Sequence, residues 1–139
     1  MVKPLICDTS GLLAHFDHCE PAHRAATQAV RQERGPLIVS PLALAELDHF
    51  LNTRYRRDEQ LAVLGELAHP AWTIAPFDRT DLKASRAVIE RYADQRIGLR
   101  DASLVVLAER YRTRRILTLD RRHFEALRTA RGQSFELVP

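Results

Sequence analysis

Four carboxylates in this chain stand beside apolar runs, where a negative charge is costly to keep. Asp8 follows Pro4-Leu5-Ile6-Cys7, and Asp120 follows Ile116-Leu117-Thr118-Leu119. Asp101 opens the stretch Ala102 to Ala108, and Glu46 lies inside Pro41 to Leu47. An ionised carboxylate near a core must be paired or bound to a metal. Four of them, each next to a buried element, point to one shared acidic site for hard cations. Oxygen donors of this kind suit Mg2+ or Mn2+. Divalent ions held this way can activate a water, grip a phosphodiester and stabilise its leaving oxygen.

Each carboxylate also has a plainer reading. Asp8, Asp101 and Asp120 fall at or near helix starts, where Asp is a favoured N-cap. Asp8 and Asp120, however, also follow strands expected to be parallel, at the sheet edge where open α/β proteins bind ligands. Glu46 is a turn and a half into its helix, so capping does not account for it. Its neighbours at helical spacing are Leu42, Ala43, His49 and Phe50, which also suits a residue at the core margin. The chain has no Walker-type Gly-rich loop, no His-Glu-x-x-His and no Gly-x-Ser-x-Gly. That counts against nucleotide-driven, zinc-protease and serine-hydrolase chemistry.

The elements that must position these residues alternate between β-like apolar runs and helical patterns, the signature of an α/β domain with a mainly parallel sheet. Strands are expected over residues 4–7, 37–39, 71–75 and 115–119, with an edge strand at 135–138. Helices are expected over 10–16, from Pro21 to Gln32, from Ser40-Pro41 to Tyr55, and over 58–67, 78–93, 101–111 and 121–127. Ser40-Pro41 is a strong start, with Ser as N-cap and Pro in the first turn. In the 78–93 helix, Leu82, Ser85, Val88, Ile89 and Tyr92 share one face.

With 139 residues, 45% hydrophobic, the chain is long enough for one domain over residues 1–139 with a sizeable core. No apolar run approaches the roughly 20 residues of a membrane span, and Met1-Val2-Lys3-Pro4 lacks a signal-peptide pattern. A cytoplasmic protein is expected, with Cys7 and Cys19 as free thiols rather than a disulfide framework. The net charge is +3. Setting the four carboxylates aside leaves 14 acidic against 21 basic residues, a remainder of +7 that favours a polyanionic partner. The basic residues are 19 Arg and 2 Lys, a bias that fits phosphate recognition and equally fits GC-rich codon usage.

Motif order adds a resemblance. Asp8-Thr9-Ser10-Gly11-Leu12-Leu13 resembles the opening motif of PIN-domain nucleases. Ser40-Pro41-Leu42-Ala43-Leu44-Ala45-Glu46-Leu47 resembles their second acidic motif, and Leu99-Arg100-Asp101-Ala102-Ser103-Leu104-Val105 the third. Ile116 to Phe124 resembles the closing Thr-x-Asp-x-x-x-Phe segment. The four motifs span nearly the whole chain, whose length is similar to that of the toxins of VapBC-type toxin–antitoxin pairs.

The resemblance implies a three-layer α/β/α sandwich and an Mg2+- or Mn2+-dependent endoribonuclease. Asp8, Glu46, Asp101 and Asp120 would be its acidic residues, with Asp8 and Asp101 binding metal directly. Thr9, Ser10 and Thr118 would orient the carboxylates. Arg100, Arg121 and Arg54 are candidate RNA contacts, although Arg100 and Arg121 would equally serve to offset the acidic cluster. An RNA substrate, a small cognate antitoxin and a homodimer follow as expected partners. The alternatives are an RNA-binding module of the same fold, an RNA-maturation nuclease that is not a toxin, and a small-molecule phosphohydrolase. Some family members carry a further acidic residue two or three positions after the closing Asp. Here Arg122 and His123 stand there, so no fifth ligand is expected. The His15, His18, Cys19, His23 segment has metal-ligand residue types but no second ligand pair, so a zinc site is not expected.

Overall fold

The computed structural model describes residues 2–139. Strands β1 (Leu5–Cys7), β2 (Leu37–Val39), β3 (Trp72–Ile74), β4 (Arg115–Leu117) and β5 (Glu136–Val138) form one sheet in the order β3-β2-β1-β4-β5. Every pairing is parallel, including that of the edge strand β5. Helices α1 (Thr9–Phe16), α2 (His23–Gln32), α3 (Pro41–Arg54), α4 (Arg57–Leu67), α5 (Arg79–Arg91), α6 (Leu99–Arg110) and α7 (Arg121–Ala126) make the connections.

Strand alternation separates two cores. Leu5, Cys7, Val39, Leu117 and Trp72 of β3 pack on one side with Leu12, Leu47, Leu51 and Leu67 of the α1–α4 layer. Ile6, Ile38 and Ile116 point to the other and pack with Leu104, Leu107 and Phe124 of the α5–α7 layer. A parallel sheet covered on both faces reads as continuous apolar runs, and the central strand β1 is fully buried as that requires. The α/β/α sandwich expected from sequence is the fold observed.

Sequence-expected boundaries shift by a few residues. Ser40 caps α3, its Oγ accepting from Leu42 N–H at 3.2 Å, with Pro41 in the first turn. Asp78 caps α5 through the N–H groups of Thr80 and Asp81. Pro21 lies outside α2, which begins at His23. The largest consequence is at α6, which begins at Leu99 rather than Asp101, so Asp101 sits inside the first turn. The expected face of α5 is the one that packs inward, with Ser85 buried and Val88, Ile89 and Tyr92 against the core, and only Leu82 departs from it. Leu82 is 48% exposed, and Asp81 and Ser85 are the buried residues of the helix. The reason is a salt bridge between Asp81 and Arg110 of α6, which turns that side of α5 inward.

Three contacts hold the site elements together. A Cβ on Gly11 would lie 2.6 Å from the Leu117 carbonyl oxygen, so α1 rests directly on the β4 backbone. Thr9 Oγ1 donates to the Ala43 carbonyl at 3.2 Å, and Ser40 and Ser103 share a hydroxyl hydrogen bond of 2.9 Å. These bonds link α1 to α3 and the start of α3 to α6.

Candidate active site

The four carboxylates converge at the carboxyl-terminal edge of the sheet. Asp8 leaves the end of β1, its N–H donating to the Leu117 carbonyl at 2.9 Å. Asp120 follows β4 and precedes α7. Asp101 projects from the first turn of α6, and Glu46 from the middle of α3. The point of convergence is Arg100. Its Nε lies 3.4 Å from Asp8 Oδ1, its Nη2 lies 2.6 Å from Asp101 Oδ1 and 3.8 Å from Asp120 Oδ2, and its Nη1 contacts Glu46 Oε1. One guanidinium therefore faces all four groups singled out from sequence.

Capping does not explain this arrangement. Asp120 occupies an N-cap position but makes no side-chain cap bond, and Asp101 lies past its helix start, where Gly98 is the cap residue. Asp8 does accept from Thr9 N–H at 2.8 Å, but its other oxygen accepts from the Thr118 hydroxyl across the sheet, also at 2.8 Å. Glu46 is half-buried and turned towards Arg100.

Burial sets the electrostatics. Asp8 is fully buried, and desolvation pushes its pKa up to about 6, against the pull of Arg100 and of the Thr118 and Thr9 hydrogen bonds. For Arg100, burial works against the charge, but Asp8, Asp101 and Glu46 outweigh it and hold the guanidinium pKa above its ordinary value. One positive charge cannot balance four carboxylates. The excess negative charge, carried by hard oxygen donors on four separate elements, fits a divalent cation.

The hydroxyls expected to orient the carboxylates divide their work. Thr118 touches Asp8 directly and also accepts from Asp120 N–H at 3.0 Å. Ser10 reaches Thr118 at 3.2 Å and accepts from Leu119 N–H at 2.9 Å, so it supports the cluster without touching a carboxylate. Thr9 contributes its backbone N–H, while its hydroxyl goes to Ala43.

The candidate RNA contacts are scattered. Arg100 is half-buried inside the acidic cluster. Arg54 is exposed at the end of α3, stacked over Phe50 at 4.4 Å. Arg121 is exposed and donates to the Pro139 carbonyl at 2.6 Å. A separate groove lined by Lys3, Arg112, Arg114 and Arg131 opens at the opposite, amino-terminal edge of the sheet.

His123, read from sequence only as the lack of a fifth carboxylate, stands inside the site. Its Nδ1 lies 2.9 Å from Asp120 Oδ2 and 3.5 Å from Asp101 Oδ2. The signal was available: His123 stands three residues after Asp120 in a helical segment, and i, i+3 side chains share a face. The other histidine segment does not gather. His23 Nδ1 bonds the Ala14 carbonyl and His15 Nδ1 pairs with Thr27, while His18 and Cys19 group instead with Asp17, ligand atoms within 4.8 Å of one another, at an exposed turn. Trp72 is buried beside His15 and Phe16, the Tyr55 hydroxyl donates to Asp17, and the Tyr92 hydroxyl accepts from Arg128 N–H. These are structural roles.

Comparison with known proteins follows the same lines. The PIN domain model matches residues 5–129. Ribonuclease VapC26 of Mycobacterium tuberculosis (strain ATCC 25618 / H37Rv) is 49% identical over 135 residues, covering 97% of this chain and all of the relative. Among solved structures, M. tuberculosis VapC20, described as a Sarcin-Ricin loop cleaving toxin, superposes with a TM-score of 0.82 at 14% identity. That match covers 97% of this chain and 99% of the other. DNA-bound VapBC from Salmonella typhimurium superposes with a TM-score of 0.68 at 18% identity, covering 99% of this chain and 98% of the other. These two structures share the fold. The family model and the near-full-length relative carry the assignment: the chain belongs to the PIN-domain family and, within it, stands with the VapC ribonucleases.

Proposed function

We propose that this protein is a divalent-cation-dependent endoribonuclease, the toxin of a toxin–antitoxin pair, held inactive by a small cognate antitoxin. The observation that carries the reading is the meeting of Asp8, Glu46, Asp101 and Asp120 around Arg100 at the sheet edge. The half-identical relative is a ribonuclease, and several fold neighbours come from toxin–antitoxin complexes. Mg2+ and Mn2+ are the ions best suited to the oxygen donors.

Asp8 and Asp101 would hold the cation directly, with Glu46 and Asp120 completing its shell directly or through water. Once bound, a divalent ion supplies Lewis-acid polarisation of the phosphodiester and lowers the pKa of a water. The chain's own part is positioning. Thr118 and the Thr9 N–H fix both oxygens of Asp8, so its free lone pairs have a set direction. Deep burial of Asp8 and Asp101 excludes bulk water from one side of the site and strengthens the field felt by a phosphate. The exposed Arg54 and Arg121 carry positive charge for the RNA backbone. Two copies form a homodimer in the cytoplasm, and among the described residues no helix is long and apolar enough to cross a membrane.

The test is cleavage of total RNA by the purified chain with Mg2+ or Mn2+, followed by mapping of the new 5′ ends. Wild type is expected to cut at defined positions and to stop when a chelator is added. Asp8→Ala and Asp101→Ala are expected to lose about 100-fold or more in rate. Equal cutting by both variants would sink the site assignment. RNA binding without cleavage under any divalent ion would establish the binding-module reading instead. The product of a short gene immediately upstream is expected to block cleavage when added.

A further inference from the structure

We propose that His123 is itself a metal ligand. Its Nδ1 joins Asp101 and Asp120 in a mixed nitrogen–oxygen subsite, and this tilts the protein towards Mn2+ over Mg2+. The inference rests on the metal-dependent reading above and goes beyond it, because His123 falls at an unspecified position of the closing Thr-x-Asp-x-x-x-Phe segment and is not one of its acidic residues.

Three observations carry it. The first is spacing. Ligand atoms of Asp101, Asp120 and His123 lie within 4.8 Å of one another, with Nδ1 2.9 Å and 3.5 Å from the two carboxylate oxygens. Adjacent ligands on an octahedral ion with bonds near 2.1 Å sit about 3.0 Å apart, so these separations match one edge of such a shell.

The second is direction. Nδ1 is fully buried yet makes no hydrogen bond, although Asp120 Oδ2 is close enough to accept one. The bonding direction of the ring nitrogen misses both carboxylate oxygens. A histidine that merely steadied Asp120 would aim its N–H at the oxygen. A histidine sharing an ion with the carboxylates would aim its lone pair between them. Buried polar atoms without a partner call for an explanation of this kind.

The third is the division of Asp101. Its Oδ1 accepts from Arg100 and its Oδ2 faces His123, so the guanidinium and the imidazole take opposite sides of one carboxylate. The His123 side lies at the far reach of Arg100, whose Nη2 is 3.8 Å from Asp120. A cation there is the one least opposed by the arginine.

Ligand type then decides which ion. Mg2+ takes hard oxygen donors, whereas imidazole favours transition ions further along the divalent series. Of the two ions that suit the carboxylates, Mn2+ is the one that also accepts a nitrogen readily.

The test is pulsed electron paramagnetic resonance on the purified full chain with Mn2+. Wild type is expected to show coupling from a directly bound 14N, and 15N-histidine labelling should convert that coupling without any substitution. His123→Ala should lose the coupling and bind Mn2+ about 10–100-fold more weakly. His123→Asp should keep Mn2+ without nitrogen coupling and bind Mg2+ more tightly than wild type does. Mn2+ bound to wild type with no nitrogen coupling overturns the inference and leaves the nuclease reading standing. Coupling that persists in both folded variants, as judged by their thermal melts, also overturns it. Absence of both Mn2+ binding and divalent-dependent RNA cleavage in wild type overturns the nuclease reading as well.

Discussion

Arg100 Nε lies 3.4 Å from the buried Oδ1 of Asp8, and the rest of the same guanidinium faces Glu46, Asp101 and Asp120. This arginine occupies ground that a divalent cation would contest. Two positive charges a few Å apart repel by ~1 kcal/mol or more even at high dielectric. Arg100→Gln is therefore expected to bind Mn2+ at least roughly tenfold more tightly than wild type. Without metal it should be less stable by about 3 kcal/mol, because the carboxylates, Asp8 and Asp101 buried among them, lose the guanidinium that faces all four. Melting temperatures with and without Mn2+ read both effects, since a ligand of the native state stabilises by an amount that grows with the logarithm of its affinity. Equal stabilisation of both proteins by Mn2+ would show that the guanidinium does not compete.

The raised pKa of Asp8 makes a pH prediction whose sign is unusual for an aspartate. Between its ordinary value of 3.8 and about 6, the folded state holds a proton that the unfolded state has released. Stability from this group is thus greatest below about pH 4, falls as pH rises to 6, and is flat above. Asp8→Asn removes the ionisation. In chelator-treated protein at pH 8 it should be more stable than wild type by up to about 3 kcal/mol. The gain should shrink towards pH 4. Urea titrations at the two pH values measure it, and a variant that is less stable at pH 8 would contradict the burial argument.

Gly11 and Gly65 should respond oppositely to alanine. A Cβ at Gly11 would meet the Leu117 backbone at 2.6–2.8 Å, so α1 must move off β4, at a cost of about 1–3 kcal/mol. The same movement would separate Asp8 and Ser10 from Thr118, so cleavage should fall further than stability explains. Gly65 lies within α4, and nothing is within 4 Å of its added Cβ. There alanine should stabilise by roughly 0.5–1 kcal/mol. Denaturant midpoints decide both, and a stable, active Gly11→Ala would refute the close α1–β4 approach.

Thr118→Val tests whether the hydroxyl orients the site or only holds the fold. The change keeps the shape but removes the donor to Asp8 Oδ2 and the acceptor for Asp120 N–H. A stability loss of about 1–3 kcal/mol is expected from the orphaned groups. Metal affinity should fall by about 10–100-fold. Isothermal titration with Mn2+ separates the two, and Thr118→Ser should restore most of the affinity. A valine variant with unchanged Mn2+ affinity would reduce Thr118 to a packing role.

Much of this was legible in the chain. The apolar runs ending at Cys7 and Leu119, Ser40-Pro41 as a helix start and Asp78 as a cap are all local signals, and each works through groups within four residues of itself. The four acidic residues stood out for a local reason too, since each interrupts or borders a buried run. Leu82 misled because helical periodicity selects a face without weighing the Asp81–Arg110 ion pair supplied by another helix.

The sequence by itself determined the residue types, the strand and helix order, and hence which carboxylates end up at the carboxyl edge of a parallel sheet. Only the tertiary structure decided what meets them there. Arg100 reads from sequence as an RNA contact or a counter-charge, and the start of α6 at Leu99 turns it inward between Asp101 and a glutamate 54 residues earlier. His123 reads as the loss of a carboxylate, and one turn of α7 brings its nitrogen to two of them. Burial, distance and bonding direction are properties of packed elements. A sequence supplies the donors, but the fold sets which of them can reach one ion.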